Sequence, residues 1–185
     1  SEVGLSCYLF NRKQLIQLVT ESYERGKMDF ERDILQANID NFNIHAYKVT
    51  GHAALVDDVK SYYKESMAIL DGDIRDSLFY SVGKVFTKVK DSVPTRYCEG
   101  AKVVNSLIAD GCKINGTVEN SILFRGVVVE EGAEIRNSIV MEGGRIMKMS
   151  RLNFAITDKD VTVTEDKTLS GSEAYPVVVV KNKTV

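Results

Sequence analysis

Hydrophobic and polar positions follow two different periods along the chain, which change about midway. In the first part, apolar residues recur every three or four positions, a spacing that predicts amphipathic helices. One helix is predicted from Asn11 to Gly26, because asparagine is a favourable N-cap and glycine accepts the left-handed conformation that ends many helices. Further helices are predicted after Asp29 and from Asp57 or Asp58 onward.

Two segments of this first part alternate apolar and polar residues and predict strands, Leu5–Phe10 and Ile44–Val49. Strands mixed with helices over residues 1–70 form an α/β pattern that is too short to bury its own apolar faces. We therefore expect 1–70 to be the C-terminal part of a larger α/β domain, and the chain to be a C-terminal fragment. Residues 71–97 have no sustained period and are expected to connect two domains.

The second part repeats itself every 15 to 17 residues, in four copies that begin at Val103, Val118, Ile135 and Leu152. Such a repeat is too short for a pair of helices. It predicts a coil of three short strands with one apolar residue per strand pointing inward, the hexapeptide form of the parallel β-helix. We assign residues 98–185 to this all-β domain.

Positions within the repeat predict individual roles. The fifth and twelfth positions are apolar in all four copies, and a spacing near six predicts that Val129, Ile135, Met141 and Met147 point inward. A recurring glycine is expected at a corner that needs a left-handed backbone, and a recurring asparagine is expected to form a hydrogen-bonded ladder. The fifth positions are Leu107, Ile122, Ile139 and Ile156; the twelfth are Ile114, Val129, Ile146 and Val163; the glycines are Gly111, Gly126 and Gly143; the asparagines are Asn105, Asn120 and Asn137.

Composition narrows the classes of function. The 185 residues are 44% hydrophobic and include 24 basic and 26 acidic residues, for a net charge of -2. Without a basic excess, neither nucleic acid nor an anionic membrane is an expected partner. The apolar runs are also far shorter than the roughly 20 residues of a membrane span. Cys7, Cys98 and Cys112 form no close pair, so we expect a cytoplasmic protein whose cysteines pack as small hydrophobic residues.

Two other chemistries found on hexapeptide β-helices are disfavoured. Acyltransferases of this fold commonly use a histidine base, and γ-class carbonic anhydrases hold a metal with three histidines. The chain has only His45 and His52, both before the repeats, where ordinary polar positions are expected. Gly143-Gly144 is followed by no Lys-Ser/Thr, so a phosphate-binding loop is not predicted there.

Five segments, taken in order, resemble the glucose-1-phosphate adenylyltransferases, also called ADP-glucose pyrophosphorylases. The segments are Tyr8–Asn11, Asp29–Ile34, Ser61–Met67, Pro94–Tyr97 and Asn105–Cys112. The resemblance covers almost the whole chain and implies a nucleotidyltransferase domain followed by a left-handed β-helix. The left hand comes from the resemblance alone, since it runs against the usual right-handed crossover. For the full-length complex the resemblance implies ATP and Mg²⁺, whereas this fragment is expected to bind no cofactor.

The departures from the family point to a degenerate active site. The register set by Gly51 and Ser61 places Leu55 where family catalysts carry a metal-binding aspartate, and leucine has no oxygen ligand for a hard cation. A family serine near the sugar corresponds to Gly4. Asp57 or Asp58 are alternative metal ligands, although a helix cap is the simpler role for them.

We therefore assign no catalytic, cofactor-binding or metal-binding residue to this chain. The resemblance implies a regulatory or structural subunit that supports ADP-glucose synthesis for glycogen and contacts a catalytic subunit, copies of itself, or both. The alternative is a catalytically active sugar-phosphate nucleotidyltransferase when full length, so enzymatic status stays open. An apolar last strand, Tyr175–Val180, is expected to lie in a subunit contact.

Scattered basic residues are a further candidate site. The family's regulation suggests an effector phosphate site between domains, but solvated surface charge is the simpler interpretation of each residue. These residues are Lys84, Lys88, Lys90, Arg96, Arg125, Arg145 and Arg151.

Overall fold

The computed structural model describes residues 4–80, 83 and 85–185. It divides into two compact units, the first ending at Ala53 and the second covering Ala54–Val185. Among the described helices, none combines the length and the apolar character needed to cross a membrane.

The first unit begins with helix α1, Arg12–Glu24, as predicted. The Asn11 side chain accepts a hydrogen bond from the Lys13 backbone N at 3.0 Å, which satisfies one of the free amides at the start of the helix. Gly26 follows the helix with φ +67°, the left-handed conformation expected from its glycine. Both ends of α1 were therefore encoded by local sequence.

The second predicted helix is irregular. A π-helical turn, Phe30–Leu35, runs directly into a 3-10 turn, Gln36–Asn38. Asp29 caps it as predicted, accepting a hydrogen bond from the Arg32 backbone N at 2.8 Å. Ile34 is buried at 5% exposure, while the Phe30 ring packs in an aromatic cluster with Tyr8 and Phe10.

The two strands predicted in this part of the chain are not formed. Leu5–Phe10 and Ile44–Val49 are irregular, and the described residues 4–80 contain helices but no strand. Alternation gives a segment an apolar face, but a strand also needs a neighbour for its backbone N–H and C=O groups. The predicted α/β pattern is therefore not found in the described residues.

Two helices open the second unit. Helix α2, Val59–Ala68, lies where the third helix was predicted. Helix α3, Gly72–Phe79, lies in the segment predicted to connect two domains. Asp71 caps α3 by accepting hydrogen bonds from the backbone N of Asp73 at 2.9 Å and of Ile74 at 3.3 Å. The Asp71-Gly72 pair therefore marks the start of a helix.

The rest of the second unit is a parallel β-solenoid, which confirms the prediction from the repeat. Its strands form three parallel five-stranded sheets, named A, B and C. Sheet A consists of β1 Arg96–Tyr97, β4 Lys113–Ile114, β7 Val128–Val129, β10 Arg145–Ile146 and β13 Thr162–Val163. Sheet B consists of β2 Lys102–Val104, β5 Thr117–Glu119, β8 Glu134–Arg136, β11 Arg151–Asn153 and β14 Thr168–Ser170. Sheet C consists of β3 Leu107–Ile108, β6 Ile122–Leu123, β9 Ile139–Val140, β12 Ala155–Thr157 and β15 Val177–Val179.

Equivalent residues of successive copies stack in register. The first position aligns Val118 with Ile135 and Leu152 in sheet B, and the twelfth aligns Ile114 with Val129 in sheet A. These side chains fill one continuous core along the axis of the solenoid. Each layer adds about 4.8 Å of height, the spacing of hydrogen-bonded strands.

The fifth position of the repeat faces outward, contrary to the inward arrangement that its apolar character suggested. In sheet C the inward residues are the following ones, Leu123 and Val140, which belong to the axial core. Ile139 and Ile156 belong to a separate cluster on the outer surface of the sheet, with Met141 packed against it. Adjacent residues of a strand point to opposite faces, so the two clusters lie on opposite sides of sheet C.

Of the four residues predicted to point inward from a spacing of six, two do so. Val129 and Ile135 lie in the axial core, whereas Met141 lies outside it and Met147 is only half-buried. Ile146, one residue before Met147, is the inward residue of that strand.

The Asn-Ser pairs of the repeat form one corner of each coil. Asn105, Asn120 and Asn137 have φ between +43° and +46°. The predicted ladder forms in this described region as two pairs: Asn105 Nδ2 donates to Asn120 Oδ1 at 2.8 Å, and Asn137 Nδ2 to Asn153 Oδ1 at 3.0 Å. Asparagine tolerates this left-handed backbone better than most residues, which explains its recurrence.

The continuous ladder along that corner is made by the serines. Each hydroxyl oxygen accepts a hydrogen bond from the backbone N of the next layer at 3.1 Å. The three acceptors are Ser106, Ser121 and Ser138, and the last donor is Ala155. The recurring glycines form another corner with φ +78°, +68° and +73°, as predicted. The repeat therefore encodes architecture at both of these corners.

Candidate functional site

Helix α2 lies on the outer surface of sheet C. Tyr63 is 3% exposed and packs with Ile139 and Ile156, and its ring lies 6.4 Å from that of Phe154. Its hydroxyl donates a 2.6 Å hydrogen bond to the backbone O of Asn137. Burial and, to a lesser degree, the nearby Glu173 carboxylate raise the pKa of Tyr63 to about 12. The outward isoleucines are thus explained by a helix that covers them.

The start of α2 carries the two aspartates singled out from sequence. Asp58 is the N-cap, and its side chain accepts a hydrogen bond from the Ser61 backbone N at 2.6 Å. Ser61 Oγ accepts in return from the Asp58 backbone N at 3.0 Å, which completes a capping box. The hydrogen bonds from the Ser61 backbone and side chain lower the pKa of Asp58. Asp57 Oδ1 lies 3.1 Å from Ser61 Oγ.

The geometry around Leu55 does not fit a magnesium site. The Leu55 side chain is half-exposed and offers no oxygen, and one Asp58 oxygen is engaged with the start of α2. In residues 4–80, 83 and 85–185 there is no group of three His, Cys, Asp or Glu side chains placed to hold a metal. Mg²⁺ prefers several oxygen ligands in octahedral geometry, which Asp57 and Asp58 do not provide.

An apolar depression of about 450 Å³ lies between the start of α2 and sheet C. Three aspartates stand among its lining residues, and the remainder are apolar or aromatic. The lining residues are Val56, Asp57, Asp58, Val59, Tyr62, Met141, Ile156, Asp158, Val178 and Val180.

A second, polar groove of about 630 Å³ follows the glycine corner. The segment before β1 lies along this corner, where Gly111 N donates to Val93 O at 2.7 Å and Lys90 Nζ pairs with Glu142 Oε1 at 2.6 Å. The Lys90 ammonium lowers the pKa of Glu142, with smaller contributions from Lys159 and Arg125. The groove is lined by Lys90, Ser92, Val93, Gly111, Arg125, Gly126, Glu142, Gly143, Lys159, Asp160 and Lys181.

The basic residues singled out from sequence are not brought together as one site. Lys90 and Arg125 share the glycine-corner groove, Arg96 and Arg145 lie on sheet A, and Arg151 lies on sheet B. Lys88 is exposed, and Lys84 lies outside the described residues.

The histidines and cysteines show no shared site either. His45 and His52 precede the solenoid, as the sequence already showed. All three cysteines are free thiols. Cys112 is buried in the core as predicted, Cys98 is half-buried, and Cys7 is exposed, so the packing predicted for Cys7 is wrong.

Two tertiary contacts at these surfaces had no clear signal in the sequence. The Lys90–Glu142 pair joins residues far apart in the chain, and nothing in either segment announces the other. The Tyr63 contact with Asn137 is similar, although the apolar fifth position of the repeat was a signal that something must cover sheet C.

Comparison with known proteins identifies relatives of this chain by sequence. Residues 92–174 match the family model described as GlmU-like, C-terminal hexapeptide. The chain is 33% identical over 178 residues to the glycogen biosynthesis protein GlgD of Bacillus subtilis strain 168, covering 96% of this chain and 52% of that protein. It is 37% identical over 141 residues to GlgD of Geobacillus stearothermophilus, covering 63% of this chain and 41% of that protein.

A named enzyme is also among the relatives. The glucose-1-phosphate adenylyltransferase of Bacillus thuringiensis strain Al Hakam is 31% identical over 170 residues, covering 90% of this chain and 45% of the enzyme. The chain therefore spans about half the length of these curated relatives.

Proposed function

Because this chain is homologous over most of its length to proteins named GlgD and glucose-1-phosphate adenylyltransferase, we propose that it belongs to a regulatory or structural subunit of a glucose-1-phosphate adenylyltransferase. That subunit supports the synthesis of ADP-glucose from ATP and glucose 1-phosphate in glycogen biosynthesis. It acts through contacts with a catalytic partner rather than through its own chemistry.

One observation carries the non-catalytic part of this proposal. Leu55 stands at the position that the family resemblance assigns to a metal-binding aspartate, and the nearest carboxylates serve the start of α2. A side chain that caps a helix already has hydrogen bonds that favour its charged form. Moving Asp58 onto a metal ion would leave the Ser61 amide without this acceptor.

The finer architecture belongs to the same proposal. Residues before 71 correspond to the C-terminal part of a nucleotidyltransferase domain, and the solenoid is left-handed like that of the family. ATP and Mg²⁺ act in the full-length complex, in the cytoplasm. The exposed side chains of Tyr175, Val178 and Val180 beside the terminal strand of sheet C support a subunit contact there.

The test is ADP-glucose formation by the full-length protein, alone and mixed with its catalytic partner at fixed catalyst concentration. We expect no product from the protein alone, and a changed rate or effector response in the mixture. No effect in the mixture would contradict a regulatory role.

The alternative, a catalytically active full-length enzyme, is tested with a charge-removing pair, Asp57→Asn with Asp58→Asn. Asparagine caps helices about as well as aspartate, so the pair removes negative charge while keeping α2 capped. Asp71→Asn is the matched control, because Asp71 caps α3 in the same way. Activity of the protein alone that is abolished by the pair and kept by the control would establish the enzyme and overturn our proposal.

A further inference from the structure

The three sheets of the solenoid present different outer surfaces. Sheet C is apolar and carries α2. On sheet B, cations pair with acids of neighbouring strands: Glu119 lies 3.0 Å from Lys102 and 3.3 Å from Arg136, and Glu134 lies 3.7 Å from Arg151. The outer charges of sheet B therefore satisfy one another.

Sheet A carries cations that have no such partners. Arg96, Lys113 and Arg145 occupy one register position in the first, second and fourth layers, with Val128 in the third. All three cations are exposed, and none forms an ion pair within the described part of the chain. We call these three residues the basic row.

An acidic edge runs parallel to the basic row, at the corner where each strand of sheet A turns toward sheet B. It holds five acidic residues in the first, third and fifth layers, with two lysines, and its acids form no ion pair among the described residues. The acids are Glu99, Glu130, Glu131, Glu165 and Asp166, and the lysines are Lys148 and Lys167. Arg96 and Glu99 are three residues apart, so the row and the edge are separated by at most about 10 Å.

These two features make the surface self-complementary. We propose that two copies of the chain pack side by side through sheet A, related by a two-fold axis parallel to the solenoid, with the basic row of each against the acidic edge of the other. Such an axis keeps every layer at its own height and reverses the strand direction, so that row and edge exchange places. A two-fold axis along the strands would instead oppose the two basic rows, which like charges disfavour.

Each cation of the basic row finds an acid of the edge at its own height or one layer away, and one like-charge contact is the exception. Arg96 meets Glu99 at the same height, Lys113 lies one layer from Glu130, and Arg145 lies one layer from both Glu131 and Glu165. The exception is Lys148, which follows Arg145 in the fourth layer and brings a like charge to it. The inference stands on these charges alone and holds whether or not the chain regulates a transferase.

The test is the dimerisation constant of the chain, measured by sedimentation equilibrium over a concentration series. Two variants reverse the two sides: Arg96→Glu, Lys113→Glu and Arg145→Glu for the row, and Glu99→Lys, Glu131→Lys and Glu165→Lys for the edge. Each should dimerise at least about 100-fold more weakly than the parent, because each contact occurs twice in a symmetric dimer. Mixed together, the two variants should form a heterodimer, since an acidic row then meets a basic edge in one contact and a basic row meets an acidic edge in the other.

Two further measurements separate charge pairing from other causes. Lys148→Glu should tighten the dimer several-fold, and raising the salt from about 0.1 M to about 1 M should weaken it, because the screening length falls from about 10 Å to about 3 Å. A variant with Lys13→Glu, Arg25→Glu and Lys60→Glu makes the same charge change as the row variant at positions outside the solenoid and should dimerise like the parent. A chain that is monomeric at low salt, or a dimer indifferent to salt and to both reversals, would overturn the proposal; the second result would favour contact through the last strand.

Discussion

At the scale of single residues, Tyr63 connects the helix to the solenoid. Its ring covers Ile139 and Ile156, and its hydroxyl reaches a backbone carbonyl at the asparagine corner. That carbonyl belongs to Asn137, whose left-handed backbone turns it toward the helix side of sheet C. One side chain thus links an apolar contact to a polar one across 74 positions of sequence.

The contribution of that hydroxyl can be measured with Tyr63→Phe, which keeps the ring. We expect the free energy of unfolding to fall by about 1–2 kcal/mol, because a hydrogen bond is lost and a partly buried carbonyl is left without its donor. Urea denaturation followed by circular dichroism measures the change, with the exposed Tyr175→Phe as a control that should change little. Equal stability of the two variants would show that the Asn137 contact contributes nothing.

The stability that Tyr63 contributes is expected to be lost at alkaline pH. The pKa of Tyr63 is raised to about 12 in the folded chain, against about 10 in an unfolded one. Folding therefore gains from the neutral phenol below pH of about 10, and this gain is lost as the pH rises toward 12. The difference in stability between the parent and Tyr63→Phe should accordingly shrink over that interval.

At the scale of elements, α2 and sheet C form a second apolar cluster outside the axial core. Ile139 is fully buried beneath the helix, whereas Leu107, at the same register position two strands away, is half-buried. A cavity under a well-packed element cannot collapse easily, so its cost exceeds that of a truncation at a partly open site.

We therefore predict that Ile139→Ala lowers the free energy of unfolding by about 2–5 kcal/mol and that Leu107→Ala lowers it by clearly less. Urea denaturation of both variants under the same conditions provides the comparison. Similar losses at the two positions would mean that α2 does not protect Ile139 in solution.

The inward and outward sides of sheet C could not have been assigned from sequence. Its strands consist of two adjacent apolar residues, as in Ile122-Leu123 and Ile139-Val140. The apolar pattern therefore does not show which of the two side chains points into the core. In sheets A and B a polar residue stands beside each inward one, as in Lys113-Ile114, and the core there was predicted correctly except at Met147, where Ile146 is the inward residue. The glycine corners and the cap of α1 were also predictable, because each depends on local backbone chemistry.

The candidate site was less predictable from the sequence, because most of it is built by contacts between distant segments. The resemblance drew attention to Leu55, Asp57 and Asp58, and local sequence was sufficient to suggest a cap. The covering of sheet C by Tyr63 and the Lys90–Glu142 pair depend on tertiary contacts that no local pattern encodes. The strands predicted at 5–10 and 44–49 are not formed for a different reason: the alternating pattern is present, but no neighbouring strand among the described residues pairs with either segment.

At the scale of the whole molecule, buried apolar surface is distributed very unevenly between the two units. Among the described residues of the first unit, Ile34 is the only buried hydrophobic side chain, while both clusters of the core lie in the second. Stability in a small domain comes chiefly from the apolar area removed from water. The second unit should therefore hold most of the stability of the chain.

A fragment covering 54–185 should consequently fold by itself. We expect a single cooperative urea transition by circular dichroism, because α2, the axial core and the serine ladder are all retained, whereas a peptide covering 1–53 should show no cooperative transition. Adding Ile139→Ala to the fragment should lower its midpoint by as much as in the whole chain, since the two contexts share the same neighbours of that side chain. A fragment that unfolds gradually would show that the solenoid and its covering helix depend on the first unit for their stability.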